Sequence, residues 1–179
     1  EKGHAELTVP GCGALIVNAG QHGYYRTQYP SSVLGNINHN IAQIDTVDQL
    51  GLLSDRWALG SIGQAPLTDW FDLIKNIPST ADDKVIGRVA GILSLLDGYY
   101  DHSKAQEQFR QYANQKLKPR FVELGFEPKA NEAVTATELR AQLYEVLSGL
   151  GDESVIAEAR RRFVGSKTNP GLLPAALRK

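Results

Sequence analysis

From Ser31 to the end of the chain, apolar residues recur three or four positions apart, and this period constrains the fold most strongly. Before Ser31 the apolar residues alternate or form short runs, as they do in strands. Because helices and strands need different periods, the change at Ser31 predicts a mostly α protein preceded by a short β part.

The helical period divides into segments separated by Gly, Pro and capping residues. The predicted helices cover residues 31–36, 46–62, 67–77, 80–96, 104–124, 135–150, 152–163 and 173–177. Thr46–Gln49 and Thr135–Glu138 have the spacing of capping boxes, Ser79 or Thr80 would cap the fourth helix, and Asp152 would cap the seventh. We expect Pro119 to kink or divide the fifth helix.

The β part has three candidate strands, at residues 5–9, 14–17 and 23–29, with a turn at 20–23. Three short strands cannot bury a sheet face, so they are typical of the last strands of a larger sheet. The helices are joined by short loops, which favours antiparallel neighbours. The predicted architecture is therefore an antiparallel helix-pair superhelix of the HEAT or armadillo kind, without a sequence repeat, preceded by two or three short strands.

Composition excludes several classes of partner. A net charge of −1, with 42% hydrophobic and 22% charged residues, gives no electrostatic reason to expect nucleic acid or a membrane surface. The one cysteine, Cys12, cannot form an internal disulfide or a Cys-type zinc site. The chain starts at Glu1 rather than Met, which is typical of a fragment, so we expect a soluble piece of unknown compartment.

The sequence predicts no catalytic residue and no metal ligand. The histidines His4, His22, His39 and His102 are not spaced as a convergent ligand set, and no His-Glu-x-x-His occurs. No Gly-x-Ser-x-Gly elbow, dinucleotide loop or P-loop is present. The basic run 160–162 is interpreted as a solvated helix end.

Residues 15–29 carry the most specific pattern, Leu-Ile-Val-Asn-Ala-Gly-Gln-His-Gly-Tyr-Tyr-Arg-Thr-Gln-Tyr. This segment resembles the point in zinc aminopeptidases of the aminopeptidase N and puromycin-sensitive type where a β-sandwich domain passes into a C-terminal helical domain. Thr27 stands where that family usually has Val. Weaker similarities follow in the family's order, at residues 50–59, 112–126, 139–143 and 152–163.

The resemblance implies two parts: residues 1–29 as the tail of the β-sandwich domain and its junction, and 30–179 as the N-terminal half of the helical domain. The family's zinc motif and its substrate-reading motif belong to an upstream domain. The fragment is therefore expected to hold no cofactor and to be inactive alone, with zinc in the parent protein's missing catalytic domain. Its expected partners are the catalytic and β-sandwich domains of the same chain and short peptides.

In that family the helical domain encloses the substrate chamber and limits peptide access. The resemblance therefore makes Tyr99, Tyr100 and Arg140 candidates for lining the chamber, although core packing or helix-to-helix bonding explains each of them as well. The alternative to this whole interpretation is a stand-alone helical-repeat scaffold that binds a protein partner.

Overall fold

The computed structural model describes residues 3–6, 8–9, 11, 13–100 and 103–173. Within them, helices account for most of the chain and no strand is present. The α-helices of this part are α1 (Ser31–Asn40), α2 (Thr46–Ser61), α3 (Thr68–Lys75), α4 (Asp83–Tyr99), α5 (Gln106–Leu124), α6 (Val134–Gly149) and α7 (Glu153–Gly165). Short 3-10 turns cover Ala19–Gln21, Ile41–Gln43 and Pro170–Leu172. The predicted mostly α class is confirmed.

The predicted strands at 5–9, 14–17 and 23–29 are not formed by the described residues of those stretches. Alternation is nevertheless visible: Ala14 and Ile16 are half-buried, while Leu15 and Val17 are exposed. A strand exists only where a neighbouring strand accepts and donates its ladder hydrogen bonds. No described segment supplies such a neighbour, so the strand-like pattern is left without a sheet.

Some helix ends have the caps that the sequence predicts, and others do not. Asp152 caps α7 by accepting from the amides of Ser154 and Val155, and Gly125 ends α5 with a φ of 72°. The fourth helix is capped by Asp82, not by Ser79 or Thr80. Both predicted capping boxes are wrong, because Asp45 and Ala133 stand at the N-caps of α2 and α6 and make no side-chain cap bond. The helix α5 runs through Pro119 without being divided.

Two compact units make up the chain, unit 1 (Glu1–Asn76) and unit 2 (Ile77–Lys179). In unit 1, α3 packs against both α1 and α2. The core of unit 1 is centred on fully buried side chains, namely Ile37, Ile41, Leu53, Trp70, Leu73 and Ile74.

In unit 2, ion pairs show how successive helices run. Arg110 near the start of α5 pairs with Asp97 near the end of α4, and Arg120 near the end of α5 pairs with Asp83 at the start of α4. The helices α4 and α5 are therefore antiparallel. Asn114 of α5 donates to the Leu150 carbonyl that follows α6, while Phe121 packs edge-on against Tyr144, so α5 and α6 are antiparallel as well.

The helices α4 and α6 run in the same direction and lie against each other. Thr135 donates to Asp83 at the start of both helices, and Gln142 donates to the Gly87 carbonyl further along both. A Cβ built on Gly87 would lie 2.7 Å from the Gln142 side chain, so glycine permits this close approach. Among α4, α5 and α6, helices that follow each other in the sequence are antiparallel, and the first and third are parallel. This is the packing that a stack of helix pairs requires.

Cys12, His102 and most of the predicted helix 173–177 lie outside the described residues, so the structure does not test the predictions made for them. The described end of the chain forms the 3-10 turn Pro170–Leu172 instead.

Candidate functional site

The junction segment, residues 18–29, contains a closed loop at its start. The Asn18 side chain is buried; its Nδ2 donates to the Gly23 carbonyl at 2.9 Å and its Oδ1 accepts from the Gly23 amide at 2.8 Å. Between them, Gly20 and Gln21 adopt positive φ values of 74° and 54°. One amide side chain thus closes the turn that the sequence predicted at 20–23.

Asp48 of α2 holds that loop. Its Oδ1 accepts from the Gly20 amide at 2.8 Å and from Gln21 Nε2 at 3.0 Å. Asp48 is 6% exposed, so its carboxylate depends on these donors in place of water.

Asp55, two helical turns further along α2, holds the second half of the segment. Its Oδ2 accepts from both the amide and the hydroxyl of Thr27, at 2.9 and 2.7 Å, and its Oδ1 pairs with Arg26 at 3.0 Å. Residues seven positions apart lie on one face of a helix, so Asp48 and Asp55 bind the junction segment at two points along α2. The hydroxyl of Thr27 therefore has a definite partner in this structure.

Tyr29 ends the segment in the core of unit 1. It is 6% exposed, and its hydroxyl accepts from the Val17 amide at 2.9 Å. The guanidinium carbon of Arg56 lies 5.3 Å from the centroid of the Tyr29 ring, within cation–π range.

A groove of about 570 Å³ opens between the junction segment and α2. Its lining includes Gln21, Gly23, Tyr24, Tyr25, Arg26, Val47, Leu50, Gly51, Ser54 and Asp55. Tyr24 is fully exposed and Tyr25 is half-exposed, so the groove offers aromatic faces to solvent. The carboxylate of Asp55 is engaged by three donors, which leaves the groove suited to binding rather than to proton transfer.

The residues predicted to line a chamber lie in unit 2. Tyr99 is 75% exposed at the end of α4, and Tyr100 next to it is stacked on Phe109 with ring centroids 4.8 Å apart. Arg140 is 2% exposed, and its guanidinium pairs bidentately with Glu132 and donates to the carbonyls of Leu124 and Gly125. Tyr99 is accessible to a ligand, whereas Arg140 joins α6 to the loop after α5.

Two glutamates of unit 2 have strongly lowered pKa values. Hydrogen bonds from Arg140 and Thr137 lower the pKa of Glu132 to about 2, and hydrogen bonds from Arg161 and Arg162 lower that of Glu158 to about 2. Both act as permanent anions of ion pairs at neutral pH.

The interpretation of residues 160–162 as a solvated run is wrong for Arg162. This side chain is 2% exposed, pairs with Glu127 and Glu158, and lies over the Phe126 ring. Conversely, the helical period groups Phe163 with the apolar residues Val155, Ile156 and Ala159, but the structure leaves Phe163 63% exposed. The inward stripe of α7 runs through Val155 and Arg162, seven positions apart, and the ion pair with Glu158 compensates a charge at an apolar position.

The buried polar residues of α2 are not found by a pattern that assigns only apolar residues to the inner face of a helix. The helical period places Leu50, Leu53, Trp57 and Ala58 on one face of this helix. The structure instead buries Leu52, Leu53 and Leu59 together with four polar side chains, namely Asp48, Gln49, Asp55 and Arg56. The spacing of Asp48, Leu52, Asp55 and Leu59 was the signal that could have identified them.

Among the residues that the structure describes, no three His, Cys, Asp or Glu side chains are grouped as metal ligands. This part of the chain therefore does not offer the donor set that a zinc ion needs. Over the same described ranges, none of the helices has both the length and the apolar character for crossing a membrane.

Comparison with known proteins places this arrangement in a family. The model of the ERAP1-like C-terminal domain matches residues 14–179. Aminopeptidase N of Lactococcus lactis subsp. lactis is 25% identical over 98% of this chain and 21% of its own length. Aminopeptidase M1-A of Oryza sativa subsp. japonica is 28% identical over 92% of the chain and 20% of its own length.

The Tricorn protease-interacting factor F2 of Thermoplasma volcanium is 25% identical over 88% of this chain and 20% of its own length. The chain thus spans about a fifth of the length of the curated relatives it matches. Because the family model covers nearly the whole chain, including the junction segment and all seven helices described above, the chain belongs to the ERAP1-like C-terminal domain family.

Proposed function

We propose that this chain is the N-terminal half of the C-terminal helical domain of a zinc aminopeptidase, and that it acts without catalysing the reaction. In this role it encloses the substrate chamber and limits which peptides reach the zinc in an upstream catalytic domain. The observation that carries the proposal is the family match over residues 14–179 combined with a span of only a fifth of each relative.

The junction segment supports a domain boundary near residue 29. Residues 14–17 and 23–29 have strand-like sequences, yet no described residue pairs with them as a strand. Leu15 and Val17 expose 43% and 59% of their surface, which a sheet partner would cover. We infer that these residues complete the β-sandwich domain, while Asp48 and Asp55 hold them on α2.

The chamber role depends on groups that a peptide could touch. Tyr99 presents most of its ring to solvent, and the stacking of Tyr100 on Phe109 holds the neighbouring backbone. An exposed aromatic ring can bind apolar peptide side chains at little entropic cost. Arg140 would contribute by fixing the loop after α5 rather than by touching substrate.

Kinetics of the full-length enzyme test this role. We expect Tyr99→Ala to raise KM for a peptide of about ten residues several-fold, with little change for an aminoacyl-p-nitroanilide, because only the longer substrate reaches the chamber wall. Phe163→Ala, which removes an exposed aromatic ring of α7, is the matched control and should alter neither value. Equal effects on both substrates would count against chamber lining by Tyr99.

The parent's chemistry can be checked separately. The proposal expects His-Glu-x-x-His, followed by a glutamate on the next helix, in the sequence upstream of this chain. A reading frame that contains only these residues, and a protein partner captured by them, would favour the stand-alone scaffold instead.

A further inference from the structure

Arg56 is a buried cation with no hydrogen-bonded counter-ion among the residues that the structure describes. It is 2% exposed, and its Nη1 and Nη2 have no hydrogen-bond partner among the described residues of the chain. The face of the Tyr29 ring, 5.3 Å from the guanidinium carbon, is the contact that the structure shows for this charge. A ring quadrupole compensates a buried guanidinium only in part, and it leaves the in-plane N–H donors unused.

The carboxylates of unit 1 that are near enough to act on Arg56 do not bind it. Both oxygens of Asp55 are taken by Arg26 and Thr27. Asp69 of α3 raises the pKa of Arg56 through its charge but is not hydrogen-bonded to it. Burial lowers the pKa of Arg56, yet a guanidinium retains its proton in proteins.

Two other buried polar atoms of this core, one donor and one acceptor, also lack a hydrogen-bond partner among the described residues. The indole Nε1 of Trp70, a side chain with no exposed surface, has no partner in the described part of unit 1, and neither has Gln49 Oε1. Unpartnered donors on a cation require an acceptor that the described side chains do not supply. We propose that a small monovalent anion, of the size of chloride, binds the Arg56 guanidinium inside unit 1.

The test is the thermal unfolding of the 179-residue chain in sodium chloride and in sodium gluconate at equal ionic strength. An anion bound only by the folded state raises Tm saturably with its concentration. We expect this chloride-specific rise in the wild-type chain, its loss in Arg56→Met, and its retention in Arg88→Met, which changes an exposed arginine of unit 2. Equal Tm values in the two salts, or a chloride effect that persists in Arg56→Met, would overturn the proposal.

A direct measurement covers the case in which Arg56→Met does not fold. In crystals of the wild-type chain soaked in bromide, an anomalous peak within hydrogen-bond distance of Arg56 Nη1 or Nη2 would support the anion site. Water density with no anomalous signal at that position would contradict it and assign the donors to buried solvent.

Discussion

Asp55 Oδ2 accepts hydrogen bonds from both the amide and the side-chain hydroxyl of Thr27, at 2.9 and 2.7 Å. This relationship connects an extended segment to the second helix across 28 residues of sequence. A backbone amide without a sheet partner is satisfied by a carboxylate on a helix, so the junction segment keeps its path without belonging to a sheet in unit 1.

Replacing Thr27 with Val removes one of these bonds while conserving shape. We expect Thr27→Val to lower the free energy of unfolding by about 1 kcal/mol, the usual net value of a hydrogen bond to a partly buried group. Urea denaturation measures the change. Thr80→Val, at an exposed threonine, is the control and should change stability by less than about 0.5 kcal/mol. Equal effects of the two substitutions would show that the Asp55–Thr27 bond contributes nothing.

A pair of glycines tests the packing of the loop on α2. A Cβ on Gly51 would lie 2.2 Å from the Gln21 side chain, whereas a Cβ on Gly35 in α1 meets nothing within 4 Å. Because alanine favours helix over glycine, Gly35→Ala should stabilise the chain by up to about 1 kcal/mol. Gly51→Ala should lose that gain because Gln21 must leave Asp48. Thermal unfolding of both variants measures the difference. An equal gain in Tm for the two variants would contradict the packing of Gln21 against Gly51.

We expect the stability of unit 2 to depend strongly on the side chain of Leu143. This side chain is fully buried in α6, so Leu143→Ala should cost about 2–5 kcal/mol of stability through lost transfer energy and a residual cavity. Val122 in α5 is 67% exposed, and Val122→Ala should cost less than about 0.5 kcal/mol. Similar midpoints in urea for the two variants would show that α6 does not pack as described.

Acid should weaken the Arg140–Glu132 pair over a defined range of pH. The folded-state pKa of Glu132 is about 2, below its ordinary value of 4.5. Its contribution to stability is therefore complete above about pH 4.5 and lost as the pH falls toward 2. The Tm difference between wild type and Glu132→Gln should narrow from about pH 5 to pH 2.5, whereas Glu138→Gln, at an exposed position, should show no such trend. A constant difference for Glu132→Gln would contradict the assignment.

Helical period predicted the class of fold and the existence of each main helix, because long amphipathic stripes must face a core whichever neighbours provide it. The helical period predicted the wrong inner face wherever a polar side chain occupies an inward position. Arg162 and Asp55 are buried because Glu158 and Thr27 compensate them, and these partnerships come from tertiary packing. The strand predictions were wrong for a related reason. Alternation of apolar residues at 14–17 indicates a strand only where a sheet is present to pair with it.

We propose above that this chain is a non-catalytic helical domain of an aminopeptidase. The most direct measurement is the turnover of an aminoacyl-p-nitroanilide by the purified 179-residue chain, with its zinc content determined on the same sample. We expect no turnover above the blank and no stoichiometric zinc, because the described residues group no three His, Cys, Asp or Glu side chains as metal ligands. Turnover that is abolished by a chelator, together with one zinc ion per chain, would contradict it.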